Sequence, residues 1–293
     1  MPVLARLAGH EKDLGGGSRV RRLLPAAAQQ AVGPFLFFDH FGPVTVERDM
    51  NLDVQPHPHI GLSAVSCLYE GALLHRDSLG YTHCIEPGAI NWMTAGRGIV
   101  HSERRPPDLA GRPYGLHGLQ LWVAVPADLE ETAPSFSHTP AELLPRFSAQ
   151  RAHGRVLVGS AFGMHSPVAA ASPTTYLDLA LDADSSTTIP PLAQELAPYS
   201  IDEELRVDGQ NVAPHVLAVL DAQLPVHLEA GRPNRVVLIG GDRLTGRRLI
   251  WWNFVSTRRQ RILDAAADWE ARRMPGVAGD DSYIPLPERR LNI

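Results

Sequence analysis

Cysteine is nearly absent from these 293 residues, with Cys67 and Cys84 the only two. Two thiols cannot staple a chain of this length, so a disulfide framework is excluded and a reducing compartment fits. Both thiols fall in expected strands, which predicts that they are buried. Long apolar runs are missing as well. No stretch approaches the ~20 apolar residues of a membrane helix. The first ten residues, Met1 to His10, hold no apolar core of the kind a signal peptide needs. The expectation is a cytoplasmic protein without membrane contact. Positive charge is scarce: the net charge of −5 argues against direct nucleic-acid binding. Of 27 basic residues only Lys12 is lysine, which reads as composition bias. The arginines gather late, twelve against seven acids from Arg232 onward, and read as a solvated, ion-paired face.

What is present is an ordinary globular balance, 44% hydrophobic and 20% charged, in a chain long enough for one or two cores. Glycine and proline number 25 each, without low-complexity runs. That punctuation suits many short strands joined by tight turns. Residues 64–69, 73–77, 82–85 and 90–93 read as one meander, with turns at Glu70-Gly71, Ser78-Leu79-Gly80 and Glu86-Pro87-Gly88. Gly15-Gly16-Gly17 precedes an expected edge strand, Arg19 to Pro25. Residues 115–125 alternate Leu119, Leu121 and Val123 against Gln120, Trp122 and Ala124, so one face is buried. The acidic, Pro-rich stretch from Pro126 to Pro145 reads as an inter-domain connection. A second meander follows, through 155–163, 175–181, 186–190, 216–220, 225–228 and 235–242. Leu249 to Val255 reads as a last strand. Ser256 or Thr257 then caps a helix to about Arg273, with Ile262, Ala266 and Trp269 on one stripe. The tail after Pro275 reads as a surface wrap.

Two short stretches carry chemistry. Gln55-Pro56-His57-Pro58-His59 and His101-Ser102-Glu103 each place two potential ligands at spacing i, i+2. On a strand that spacing puts both side chains on one face. Two such strands side by side in a closed barrel point His57, His59, His101 and Glu103 into the lumen. Three imidazoles and one carboxylate suit iron, manganese, nickel, copper or zinc rather than calcium or magnesium. Asp39-His40, before a Phe-Gly-Pro turn, has two readings: a loop at the barrel mouth that orients the metal site, or a turn with an Asx-type hydrogen bond. His117 reads as structural, and His215 and His227 stand alone. The second meander holds no His-x-His or His-x-Glu, so no metal of this kind is expected there.

His57-Pro58-His59-Ile60-Gly61, His75-Arg76-Asp77-Ser78-Leu79-Gly80 and the twelve residues from Trp92 to Glu103 resemble the pirin family of the cupin superfamily. The resemblance extends back to Gly33–Pro43 and forward to Gly115–Trp122, and is looser in the C-terminal half. It implies an all-β bicupin: two β-barrel (jelly-roll) domains with a short C-terminal helix. The division expected is 1–130 for a metal-binding barrel and 146–293 for a barrel without metal, which includes the helix and tail. The family's ligand positions match His57, His59, His101 and Glu103. Two positions depart from cupins at large: Ser63 stands where a glutamate is usual, and Arg105 where an asparagine is common. Bacterial members imply a quercetin 2,3-dioxygenase. It would take a flavonol and O2 at one transition metal, iron(II) first, with nickel, copper, manganese, cobalt or zinc as substitutes. Glu103 is the one ionisable base at the metal and would take the substrate's 3-hydroxyl proton. Phe37 and Trp92 would line the lumen against flat rings. Other members imply a different reading, a non-enzymatic metal- and redox-sensing regulator that binds a partner protein.

Overall fold

The computed structural model describes residues 3–15, 18–149, 151–221 and 223–288. Gly16 and Gly17 of the glycine run, and the last five residues of the tail, lie outside them. The protein is built of short antiparallel strands with one α-helix, Arg259–Glu270, among the described residues. It divides into two compact units, and neither is a continuous piece of chain.

One unit gathers Lys12–Val20, His40–His138 and Thr245–Ile293. Its four-stranded sheet runs in the order Val54–His59, Ile99–Arg104, Leu73–Asp77, Thr82–Ile85. Its other sheet places Ser135–Thr139, Ile90–Thr94, Leu62–Glu70, Tyr114–Ala124 and Phe35–Val46 side by side, followed by Ser18–Leu24 and His10–Gly15. Ser18–Leu24 is therefore an inner strand rather than an edge. The stretch expected to connect domains instead supplies Ser135–Thr139, paired into this sheet, together with short 3-10 turns. Cys67 is buried and Cys84 only half-buried, and neither forms a disulfide.

The helix closes this unit. Ile262, Ala265 and Trp269 form its buried stripe and pack with Ile60, Val100 and Phe254. Its start differs from expectation: Ser256 and Thr257 do not cap it. Both turn instead to the buried Glu130 carboxylate, which accepts from Ser256 Oγ at 2.8 Å and from Thr257 N–H at 2.9 Å. Arg248 Nε lies 3.4 Å from Glu130 Oε1 and neutralises it, although the N–H is not aligned as a hydrogen bond. Before the helix, Leu249 to Val255 is a hairpin and not a single strand. Leu249–Trp251 pairs with Phe254–Ser256 across Trp252, which holds the left-handed conformation at φ +52. Gly61 sits against this hairpin with φ +67, where an added Cβ would stand 2.0 Å from the Val255 carbonyl oxygen. Only glycine fits that approach.

The other unit gathers Met1–Glu11, Arg21–Asp39 and Thr139–Leu244. Its seven-stranded sheet runs Ala5–Leu7, Leu217–Asp221, Glu195–Ser200, Asn234–Gly241, Thr174–Leu181, Ala152–Val158, Arg146–Ala149. A four-stranded sheet of Ser185–Ile189, Val226–Ala230, Leu205–Val207 and Gln210–Val212 completes it. Leu177, Leu179, Val207, Leu228 and Leu238 are among the side chains that fill its interior, each at most 1% exposed. A lumen packed this way is a hydrophobic core rather than a site. The helix and tail, expected in this unit, belong to the first one, and the opening strand Ala5–Leu7 comes here instead.

Candidate metal centre

The strands Val54–His59 and Ile99–Arg104 pair antiparallel with His101 opposite His57 and Ile99 opposite His59. Register slips between His101 and Glu103 on this side, where Pro56 has no N–H to give the ladder. On its other side the Ile99–Arg104 strand pairs regularly, His101 with Asp77 and Glu103 with His75, so His101 and Glu103 keep one face. His57 and His101 are therefore on one face, and Glu103 follows His101 on that face.

Three of the four expected ligands converge. One ring nitrogen each from His57, His59 and His101 lies within 4.8 Å of the others, and all three residues are buried. Each ring is also addressed from behind. His57 Nδ1 donates to the Gln55 carbonyl at 2.9 Å, which leaves Nε2 without a proton. The Asn253 carbonyl, on the Trp252 turn, holds the His59 ring, while His59 Nδ1 has no partner. His101 Nδ1 faces His75 Nδ1 at 3.4 Å, and His101 Nε2 has no partner. Burial, with repulsion between the rings, drives all three to the neutral form: His57 falls to about 4, and His59 and His101 fall well below the ordinary value. Neutral imidazoles with one nitrogen fixed and the other bare are what a transition metal requires. The buried, unpartnered nitrogens of His59 and His101 are costly without such a partner, so the donor set fits the metal.

Glu103 shares the face but its carboxylate does not join the group of three. It is half-buried, with Ser66 Oγ 3.4 Å from Oε1, and Ser66 in turn donates to Gln120 Oε1 at 2.7 Å. Burial raises the Glu103 pKa, against the opposing pull of His75 and Ser66. Ser63 is opposite Thr94 and bonds its hydroxyl at 3.0 Å. It stands three residues from Ser66, hence on the other face of the strand. A glutamate there would not reach the imidazoles, so this departure leaves the centre intact.

The lining differs from expectation. Phe37 lies in the other unit, under the Arg22 guanidinium at 4.2 Å. Trp92 pairs with Val65 and so turns away from the face that carries Ser66. The aromatics at the site are Trp122, edge-on to His59 at 5.3 Å, and Phe136, stacked on His75 at 4.2 Å. Asp39 and His40 sit in a strand, not a loop. Asp39 takes a bidentate bond from Arg22 at 2.7 and 2.8 Å, and His40 Nε2 meets His117 Nε2 at 2.7 Å. Arg105 ties the preceding loop, its N–H donating to Asp53 at 2.7 Å. Missed by sequence reasoning were His75 and Asp77, which carry the same i, i+2 signal on the neighbouring strand.

Comparison with known proteins agrees with this picture. Residues 17–123 match the family model described as Pirin, and residues 176–275 match the Pirin C-terminal cupin domain. A pirin-like protein of Caulobacter vibrioides is 42% identical over 285 residues, 94% of this chain and 96% of that one. Human pirin is 32% identical over 275 residues, covering 91% of each chain. Among solved structures, quercetin 2,3-dioxygenase from Acinetobacter baumannii superposes with a TM-score of 0.88 at 33% identity, covering 96% of this chain and 93% of the other. The two matched domains and that superposition make the fold a bicupin, mostly β with one short C-terminal helix.

Proposed function

The chain belongs to the pirin family, and from that premise we propose that it is a metal-dependent quercetin 2,3-dioxygenase, opening a flavonol ring with O2. The observation that carries the reading is the triad of neutral, buried imidazoles with two orphaned ring nitrogens. The likeness to the Acinetobacter enzyme supports it. His57, His59 and His101 would hold one transition metal, iron(II) first, with Glu103 as the fourth ligand. When bound, such an ion would supply the Lewis-acid and redox chemistry that opening a flavonol ring with O2 needs.

The chain's own residues supply the rest. Glu103 would receive the 3-hydroxyl proton; its carboxylate is left open for this, because Ser66 Oγ lies 3.4 Å from Oε1 and spends its proton on Gln120 Oε1 at 2.7 Å. Burial makes this carboxylate a stronger base than a surface one. Trp122, edge-on to His59, offers an apolar wall to the substrate rings at the centre. We place its action in the cytoplasm; among the described residues no helix is long and apolar enough to cross a membrane, and Cys67 and Cys84 form no disulfide.

Metal analysis of protein purified without added metal should find one transition metal per chain. Protein loaded in turn with iron, nickel, copper, manganese or cobalt should consume quercetin, seen as loss of its visible absorbance. No turnover with any of them overturns the enzymatic reading in favour of a metal-dependent regulator that binds a partner protein.

A further inference from the structure

Behind His101 lies a second line of polar side chains that the proposed reaction does not use. Asp77 is 2% exposed and His75 5% exposed, on the strand next to the one bearing His101. Asp77 Oδ1 accepts the backbone N–H groups of Leu79 and Tyr81 at 2.9 and 3.1 Å, which fixes the carboxylate at the start of a turn. Its other oxygen, Oδ2, lies 3.0 Å from His75 Nε2. His75 Nδ1 lies 3.4 Å from His101 Nδ1, and stacking on Phe136 at an interplanar angle of 9° sets the plane of its ring.

With His75 neutral, the donor order through this line has one solution compatible with a metal. Asp77 is acceptor-only as a carboxylate, so His75 carries its proton on Nε2. His75 Nδ1 is then an acceptor and takes the His101 Nδ1–H. His101 Nε2, the unpartnered nitrogen, is left bare. The 3.4 Å link is long, so its weight is in setting the tautomer more than in binding energy.

We propose that Asp77 and His75 are positioning residues that fix the tautomer and ring orientation of His101 and so set the metal affinity of the centre. The proposal rests on the reading of His101 as a ligand. It goes beyond it by giving a task to two residues outside the ligand set.

Asp77→Asn tests the order while keeping the shape. The Leu79 and Tyr81 amides hold the carbonyl oxygen of the new side chain, so its NH2 faces His75 and donates to Nε2. His75 then carries its proton on Nδ1 and donates to His101 Nδ1, which moves the His101 proton to Nε2. Ni(II) affinity of the metal-free protein, measured by competition with a chelator, should fall about 10- to 100-fold, the usual cost of losing a ligand's orienting partner. Nitrogen-15 NMR of the metal-free protein should show His101 protonated on Nδ1 in the wild type and on Nε2 in Asp77→Asn. His75→Gln, which can donate to Asp77 and accept from His101, should stay within about threefold of wild type. His75→Phe should match Asp77→Asn. If all three variants bind Ni(II) like wild type, or if the His101 tautomer is the same in wild type and Asp77→Asn, the proposal is overturned. If the wild type itself binds no Ni(II), the ligand reading fails, and the NMR comparison still decides the relay. Should Asp77→Asn not fold, the contrast between His75→Gln and His75→Phe decides it, and equal affinities overturn it.

Discussion

At the residue scale the centre is a matter of which nitrogen carries a proton. Burial holds His57 down to about 4, while in the unfolded chain it titrates near 6.5. The unfolded state therefore binds more protons between these values, and its share of stability, whole above pH 6.5, is lost as pH falls toward 4. For His57 alone this is roughly 3 kcal/mol, and His59 and His101 shift in the same direction. Denaturant melts of the metal-free protein should show stability dropping steeply across that window, and a flat profile would count against neutral, buried rings. Glu103→Gln separates ligand from base. It should lower kcat on quercetin by ~10²–10⁴-fold once loaded to wild-type occupancy, and lower metal affinity less than His57→Ala does. Wild-type turnover in that variant would remove Glu103 as the base. The cluster of His57, His59 and His101 was legible in the sequence because i, i+2 on a strand fixes a shared face. The lining was not: Phe37 and Trp92 are aromatic and near the motifs, but which face they occupy depends on register, and it is Trp122 and Phe136 that reach the rings.

At the element scale, the ligand strands are braced from outside by residues far along the chain. Ile60 and Val100, next to His59 and His101, pack against Phe254, Ile262 and Trp269. Trp269→Ala should cost about 3–5 kcal/mol, the usual penalty for emptying a buried aromatic site, and chemical denaturation would measure it. The helix itself was legible from its Ile262–Trp269 stripe. Its start was not, because Ser256 and Thr257 have the right chemistry for a cap and a better partner in Glu130, over 120 residues away in sequence. Glu130→Ala would leave the Arg248 guanidinium without its counter-charge, held by the Val125 and Thr245 carbonyls, and should destabilise by about 3–5 kcal/mol. A loss under 1 kcal/mol would show that the pair is dispensable. The hairpin at Trp252 was hidden for a related reason: its left-handed turn carries no glycine to announce it.

At the scale of the whole molecule, the two strand-rich halves were legible from turn spacing, and the exchange of chain ends between them was not. Periodicity reports which face of an element is apolar; it does not say which partner covers that face. The expected division, 1–130 and 146–293, puts the helix with the second barrel, as the C-terminal domain match over 176–275 also does, whereas in packing the helix joins Ile60 and Val100 of the histidine-bearing strands. This has a direct consequence for metal binding. A chain ending at Leu244 keeps His57, His59, His101 and Glu103, yet loses the Asn253 carbonyl that orients His59 and the apolar wall over Ile60 and Val100. Were the expected division correct, the first barrel would be complete without those residues and would bind metal normally. The contact pattern requires instead that the truncated chain bind Ni(II) much more weakly than the full chain, by at least the ~10–100-fold that follows loss of one orienting partner. Chelator competition on both proteins, with circular dichroism to confirm retained strand content, distinguishes the two: equal affinity would return the tail to the second barrel.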